Sequence, residues 1–285
     1  MGWYNFAGFI ICVVVFLTSF YLGSNVHLYF NLPALLNIFA GVFGAALLSY
    51  PFARLKTAFY VARNSYRSEF PSSNEIIKIL LDLSVRSRHQ GILSLEKMEN
   101  QSISSFLKGA LRLLVDGYSE HEIKDILSLE MYFFRERRGY NERVFRTLAR
   151  SAPAFGLIAS IIGLVGLLSG IGDTGIILKT IPIALMATLY GILLANFVLL
   201  PIAENIHSKT RREMLLQKLV YNGVLAIKHE ENSDKLEVRL LSFLTPSSRV
   251  ANEKNLEHIK KKFFRMREKE SAELGGEFQW SGLQS

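Results

Sequence analysis

The chain has 285 residues, of which 49% are apolar and 20% charged, with a mean hydropathy of +0.22. That mixture excludes an ordinary soluble domain with its charge spread evenly, and it calls for apolar blocks alternating with charged ones. A net charge of +8 and a pI of about 9.5 fit nucleic acid or an anionic membrane surface. The placement of the charges, taken below, favours the membrane and argues against nucleic acid. The single cysteine, Cys12, excludes an intrachain disulfide and a thiol pair for a metal.

Taken in chain order, four windows approach the roughly 20 apolar residues that a helix needs to cross a bilayer core. The first runs from Phe6 to Leu22 and is short; it has neither a basic leading region nor a small-residue cleavage site, so it is read as retained rather than as a removable signal peptide. The others run from Leu32 to Phe52, from Ala152 to Ile171 and from Thr180 to Ala203, and none of the four contains Asp, Glu, Lys, Arg or His. All 33 Lys and Arg except Lys179 fall in 53–151 or 204–285. Arg54, Lys56, Arg63 and Arg67 follow the second window, Arg143, Arg146 and Arg150 precede the third, and Lys209, Arg211 and Arg212 follow the fourth. Basic flanks mark the cytoplasmic side, which places both termini and the long middle segment there.

The cytoplasmic parts read as helix. Ile76, Ile77, Leu80, Leu83 and Ser84 form one stripe, and Leu107, Leu111, Leu114 and Val115 another. Pro71-Ser72-Ser73-Asn74 is a break, with Asn74 or Ser73 as the expected N-cap. Leu215, Leu219, Gly223 and Ile227 carry the fourth helix on into the cytoplasm. The expected fold is an all-α integral membrane protein with transmembrane helices 1 and 2 over 1–52, a cytoplasmic helical domain over 53–151, transmembrane helices 3 and 4 over 152–203, a cytoplasmic helical extension over 204–250, and a basic, partly disordered tail over 251–285.

No residue grouping carries catalysis. The six histidines are scattered, with no spacing that suits a metal, and no Ser/His/Asp or Cys/His set stands out, so no enzyme, no metal and no cofactor is expected. Gly170, Gly172 and Gly175 spell a dinucleotide fingerprint, but they follow a membrane helix rather than a strand. Small residues recur every four positions on the second, third and fourth spans, as at Gly156/Ser160, Ala159/Gly163 and Ala187/Gly191/Ala195, the spacing that lets helix backbones approach closely in lipid. Pro153 is read at the first turn of the third span, where proline costs little, and Pro201 inside the fourth helix, where it forces a kink. Ser160 and Thr188 are the best-placed hydroxyls to line an ion path.

These residues resemble a known family. Pro153-Ala154-Phe155-Gly156-Leu157-Ile158 with Ile162-Gly163-Leu164-Val165 is similar to the third-span signature of MotA and PomA stator subunits. Ala184 to Asn196, followed by Pro201-Ile202-Ala203, is similar to their fourth span, and Arg88 to Glu96 to a cytoplasmic segment of the same family. The resemblance implies the inner membrane of a bacterium, a homopentamer around two copies of a MotB-like single-span partner with a membrane aspartate, and transport of protons or sodium. It implies that Pro153 and Pro201 transmit ion binding into movement, that Ser160 and Thr188 sit beside the partner's aspartate, and that Arg88 and Glu96 engage a rotor protein of the FliG kind. Arg88 and Glu96 would share one face of a continuous helix, with Gly91 between them as a point where it bends.

The chain departs from the family in opening with Tyr4-Asn5-Phe6-Ala7-Gly8 and in carrying Ala40-Gly41-Val42 where a G-G-T motif is usual. A hydroxyl at 160 can ligate sodium but does not require it, so both ions stay open. Beside the flagellar stator stand an ExbB/TolQ-like energiser of an outer-membrane process, whose family has three spans and an N-terminus outside, and a non-conducting membrane scaffold.

Overall fold

The structure of the chain, a computed structural model, describes residues 30–67, 70–96, 104–169, 172 and 174–244, with isolated positions between 8 and 22. Apart from those isolated positions, the first expected span lies outside the described residues, as does the basic tail from 251. Every regular element among those described is helical: α1 (Leu32–Ser49), α2 (Phe52–Arg67), α3 (Ser73–Gln90), a 3-10 turn (Ile92–Leu95), α4 (Ser105–Val115), α5 (Glu120–Ser169), α6 (Thr174–Leu193), a π turn (Leu194–Leu199), α7 (Leu200–Lys228) and α8 (Ser233–Leu241). The chain divides into two compact units, one formed by 30–69 and 132–212, the other by 70–131 and 213 onward. Among the described residues three stretches of helix, within α1, α5 and the continuous run from Thr174 to Lys228, are long and apolar enough to cross a membrane.

In the first unit, α1 starts where the Asn31 side chain accepts a hydrogen bond from the Ala34 N–H at 3.1 Å, with Pro33 in the first turn. It stops at Ser49 rather than at Phe52, because Tyr50 precedes Pro51 and is driven into an extended conformation. Ala34, Ile38, Val42 and Ala46, one per turn, are its buried stripe. The backbone N–H of Asn31 donates to the Tyr190 hydroxyl at 2.9 Å, tying the start of α1 to α6. The amphipathic α2 buries Leu55, Ala58, Ala62 and Ser65. It is fixed by an edge-to-face contact of Phe59 with Phe145 and by the Ser65 hydroxyl donating to Asn205 at 2.6 Å.

Close backbone packing joins α5 to α6, which run antiparallel. A Cβ on Gly191 would lie 2.6 Å from the Ala152 carbonyl oxygen, one on Gly156 2.9 Å from the Ala187 carbonyl oxygen, and one on Gly163 2.9 Å from the Ala184 methyl. Backbone therefore meets backbone at successive turns, which only glycine allows. On the other side, a Cβ on Gly41 of α1 would lie 2.3 Å from the Phe155 ring.

Pro153 is not at a helix start. It lies inside the 50-residue α5, whose apolar part continues a charged part without interruption, so its missing N–H leaves the Ala149 carbonyl without its helical donor. Pro201 sits in the first turn after the π turn, where the Leu200 N–H bonds to the Ala195 carbonyl. The wider turn makes room for a proline ring that would otherwise press on the Phe197 carbonyl.

The second unit has an apolar core of its own. Ile76, Ile77, Leu80 and Leu83 of α3, Leu107, Leu111 and Leu114 of α4, Leu219, Val220 and Val224 of α7, and Leu236 and Leu240 of α8 are all nearly inaccessible. The N-cap of α3 is Ser72, whose hydroxyl accepts from the Glu75 N–H at 3.1 Å; it replaces the expected Ser73 or Asn74 because only position 72 puts a side-chain oxygen opposite that amide. Gly223 admits the end of Leu80, whose nearest methyl would lie 2.7 Å from an added Cβ.

Gly191→Ala is expected to lower stability by about 1–3 kcal/mol through overpacking against the Ala152 carbonyl. Gly139→Ala, in open space on the same α5, is expected to raise it by about 0.5–1 kcal/mol through helix propensity. Unfolding of the purified protein in detergent measures both signs.

Candidate ion-path site

The glycine contacts decide where the hydroxyls of the apolar helices fall. With Gly156 and Gly163 against α6, Ser160 between them faces the same neighbour. Its hydroxyl donates to the Ala184 carbonyl, and its Oγ lies 2.5 Å from the Thr188 Oγ1. The structure thus brings Ser160 and Thr188 together, and both are half-buried. A hydroxyl has one proton. Ser160 gives its proton to Ala184, so the Thr188 proton points to Ser160. Both protons are then engaged within the pair and its carbonyl partner, and what remains free on the two oxygens is lone pairs. Such a pair can accept a cation or the O–H of a protonated carboxyl, and it repels a bare carboxylate.

Pro153 lies on α5 about two turns from Ser160, towards the charged part of that helix. Pro201 lies on the far side of the π turn from Thr188. Pro182, inside α6, is a third helix-interior proline in this unit; it stands in the fourth apolar window and sequence reasoning passed over it. Asn196, within the π turn, donates from its amide to the Ile192 carbonyl. Arg88 and Glu96 are both exposed in the second unit but not on one continuous helix. Gly91 takes φ of +79°, ends α3 after Gln90, and sends the chain into the 3-10 turn that Glu96 closes. The shared helical face expected for the two charges is therefore absent, because the glycine breaks the helix rather than bending it.

A charged cluster of the first unit escaped the sequence reading. Glu142 on α5 receives Arg146 Nε at 2.7 Å and His207 Nδ1 at 3.0 Å, and Arg146 also reaches Glu204 at 2.8 Å. The signal was there in the spacing of Glu142 and Arg146, one turn apart on a helix; the partners from α7 have no local signature. Burial pushes the Glu142 carboxyl up, but the hydrogen bonds and charges of Arg146 and His207 outweigh it and hold the group below the ordinary carboxylate value.

Comparison with known proteins sets this arrangement in a family. Residues 98–218 match the model of the MotA/TolQ/ExbB proton channel family. The chain is 33% identical to motility protein A of Borreliella burgdorferi over 79% of its own length and 87% of that protein's. It is 30% identical to the uncharacterized protein YtxD of Bacillus subtilis, over 90% of this chain and 94% of that one. The chain belongs to the MotA/TolQ/ExbB proton channel family. The chain is also similar to the chemotaxis protein PomA of Vibrio alginolyticus, 28% identical over 80% of this chain and 90% of that one. The fold agrees. The structure of C. jejuni MotAB superposes with a TM-score of 0.79 at 22% identity, over 86% of this chain and 97% of that one. The flagellar MotAB stator complex of Bacillus subtilis gives 0.76 at 25%, over 85% and 97%.

Because the folded-state pKa of Glu142 is lowered, its contribution to stability is present above the ordinary carboxylate value and is lost as pH falls through the folded one. Glu142→Gln is expected to destabilise the purified protein by about 1–3 kcal/mol near neutral pH. Unfolding midpoints of wild type and variant should stay apart down to the ordinary carboxylate value and converge only as the pH is taken further below it.

Proposed function

We propose that this chain is the channel-forming stator subunit of an ion-driven rotary motor, acting with a MotB-like single-span partner to turn proton or sodium flow into flagellar rotation. The observation that carries this reading is the Ser160–Thr188 pair, two hydroxyl oxygens set at a glycine-packed crossing of two apolar helices. No apolar window of the chain contains Asp, Glu, Lys, Arg or His, and ion transfer at depth generally takes such a group. A carboxyl from a second protein completes the site. Similarity to motility protein A and to PomA supports motility as the output, and similarity to MotAB complexes supports a MotB partner.

In the same reading the chain crosses the inner membrane four times with both termini in the cytoplasm, which the distribution of Lys and Arg supports. It assembles as a pentamer around the partner. Pro153 and Pro201 flank the path as points where a helix can change its bend, and the π turn before Pro201 supports that role. Arg88 and Glu96, exposed at the two ends of the Gly91 break, meet the rotor protein of the FliG kind as separate points of charge.

Two experiments test this reading. Vesicles holding this chain alone should show no selective proton or sodium flux, whereas vesicles holding it with its partner should. Thr188→Val, which keeps the shape and removes the hydroxyl, should cut that flux at least tenfold with oligomer size unchanged. Flux without a partner, or full flux in the valine variant, would overturn the site. Arg88→Glu should cripple rotation without lowering membrane levels, with partial rescue by a charge reversal on the rotor side, and the defect should depend on ionic strength. Wild-type torque in this variant would remove Arg88 from the rotor contact.

A further inference from the structure

On the face of α5 turned towards α2, two arginines converge on one ring. The guanidinium carbon of Arg54, from the first turn of α2, stands 5.0 Å from the centroid of Tyr140, and that of Arg143 stands 5.3 Å from the same centroid. The two cations are thus held no more than about 10 Å apart by a shared aromatic platform. Among the described residues no carboxylate pairs with either. The contrast with Arg146, one turn further along α5, is sharp: that guanidinium is divided between Glu142 and Glu204. Like charges brought together without a counter-ion repel one another, and an anion between them removes the repulsion.

The surroundings say which anion. The Tyr50 hydroxyl and the Thr147 hydroxyl lie 2.9 Å apart, pinning the end of α1 to the same stripe of α5 one turn beyond Arg143. The site therefore begins where an apolar, membrane-length helix ends. Phe52 and Tyr60 of α2 are 73% and 64% exposed, apolar surface that a lipid boundary would cover and that water would not. Tyrosine with arginine at the end of an apolar helix is the composition of a headgroup layer, and paired guanidinia match the oxygens of a phosphate.

We propose that Arg54, Arg143 and Tyr140 form part of a binding site for the phosphate of an anionic membrane lipid at the cytoplasmic face. The inference takes its leaflet from the orientation proposed above, but its test reads lipid binding and not ion flux, so either can fail without the other.

The test is a native mass-spectrometry titration of the assembled complex with phosphatidylglycerol, with phosphatidylcholine, and with inorganic phosphate as competitor. The Arg54→Gln/Arg143→Gln variant should lose at least tenfold in phosphatidylglycerol binding and little in phosphatidylcholine binding. Arg211→Gln/Arg212→Gln, which removes two exposed charges elsewhere in the same unit, should lose less than twofold. Tyr140→Leu keeps both charges and removes the platform, so it should also weaken the lipid; it carries the test alone if the double variant fails to assemble. Equal losses in the two double variants, or no loss in either Arg54/Arg143 or Tyr140 variants, would overturn the site. Displacement of the lipid by millimolar inorganic phosphate would overturn the lipid as its ligand and assign a soluble phosphate.

Discussion

Everything in the membrane-length part of this protein depends on two helices touching backbone to backbone. In lipid, apolar side chains gain nothing by leaving one hydrocarbon for another, so association rests on close packing and on polar contacts. Gly156, Gly163 and Gly191 supply the first by clearing the space where α5 and α6 cross. The polar contact follows from it. A serine hydroxyl is short, and Ser160 reaches both the Ala184 carbonyl and Thr188 only because the axes are already close. The same closeness engages both hydroxyl protons and leaves lone pairs on the two oxygens. A methyl group at 191 would thus act on the chemistry of the site through distance, without touching either hydroxyl.

The two compact units hold together by different physics along shared helices. The unit containing α3, α4 and α8 has a leucine-rich core of the kind that water drives together. The unit containing α1, α2 and α6 has a core in which alanine is the commonest member, and its specificity comes from small-residue contacts and a few directed hydrogen bonds. The Glu142 cluster belongs to the second kind of order. Removing Glu142 would leave His207 without that partner and Arg146 with Glu204 alone, so its carboxylate ties side chains of α5 and α7 together at a helix crossing.

How much of this was legible in the sequence follows from how local each signal is. Apolar length and basic flanks are compositional, and the helices from Leu32, through Ala152 and through Thr180 are where those windows pointed. The small-residue spacing pointed correctly to Gly156, Ser160 and Gly191, but not to the partner of each, since register between helices is not written in either one alone. Pro153 was read as a helix start because composition changes at Ala152. The backbone does not change there, since the hydrogen bonding of a helix is the same in water and in lipid. Arg88 and Glu96 were spaced correctly for a shared face, and one left-handed glycine undid it. The pairing of Glu142 with His207, and of Arg54 with Tyr140, joins residues far apart in the chain and had no local trace.

The π turn from Leu194 to Leu199 has a bearing on how this helix can vary. A turn closed from residue i to i+5 takes roughly one more residue than an α turn while returning the chain to the same axis. Leu194–Leu199 therefore stores a single surplus residue between the packed face above it and the charged face below. A shorter version of the helix, with that residue deleted, would keep Thr188 and Glu204 in phase and lose only the widening beside Pro201. Length changes elsewhere in the run from Thr174 to Lys228 would rotate one face against the other by about 100° per residue. In this long helix, the segment that tolerates an altered residue count is the one that accommodates the proline.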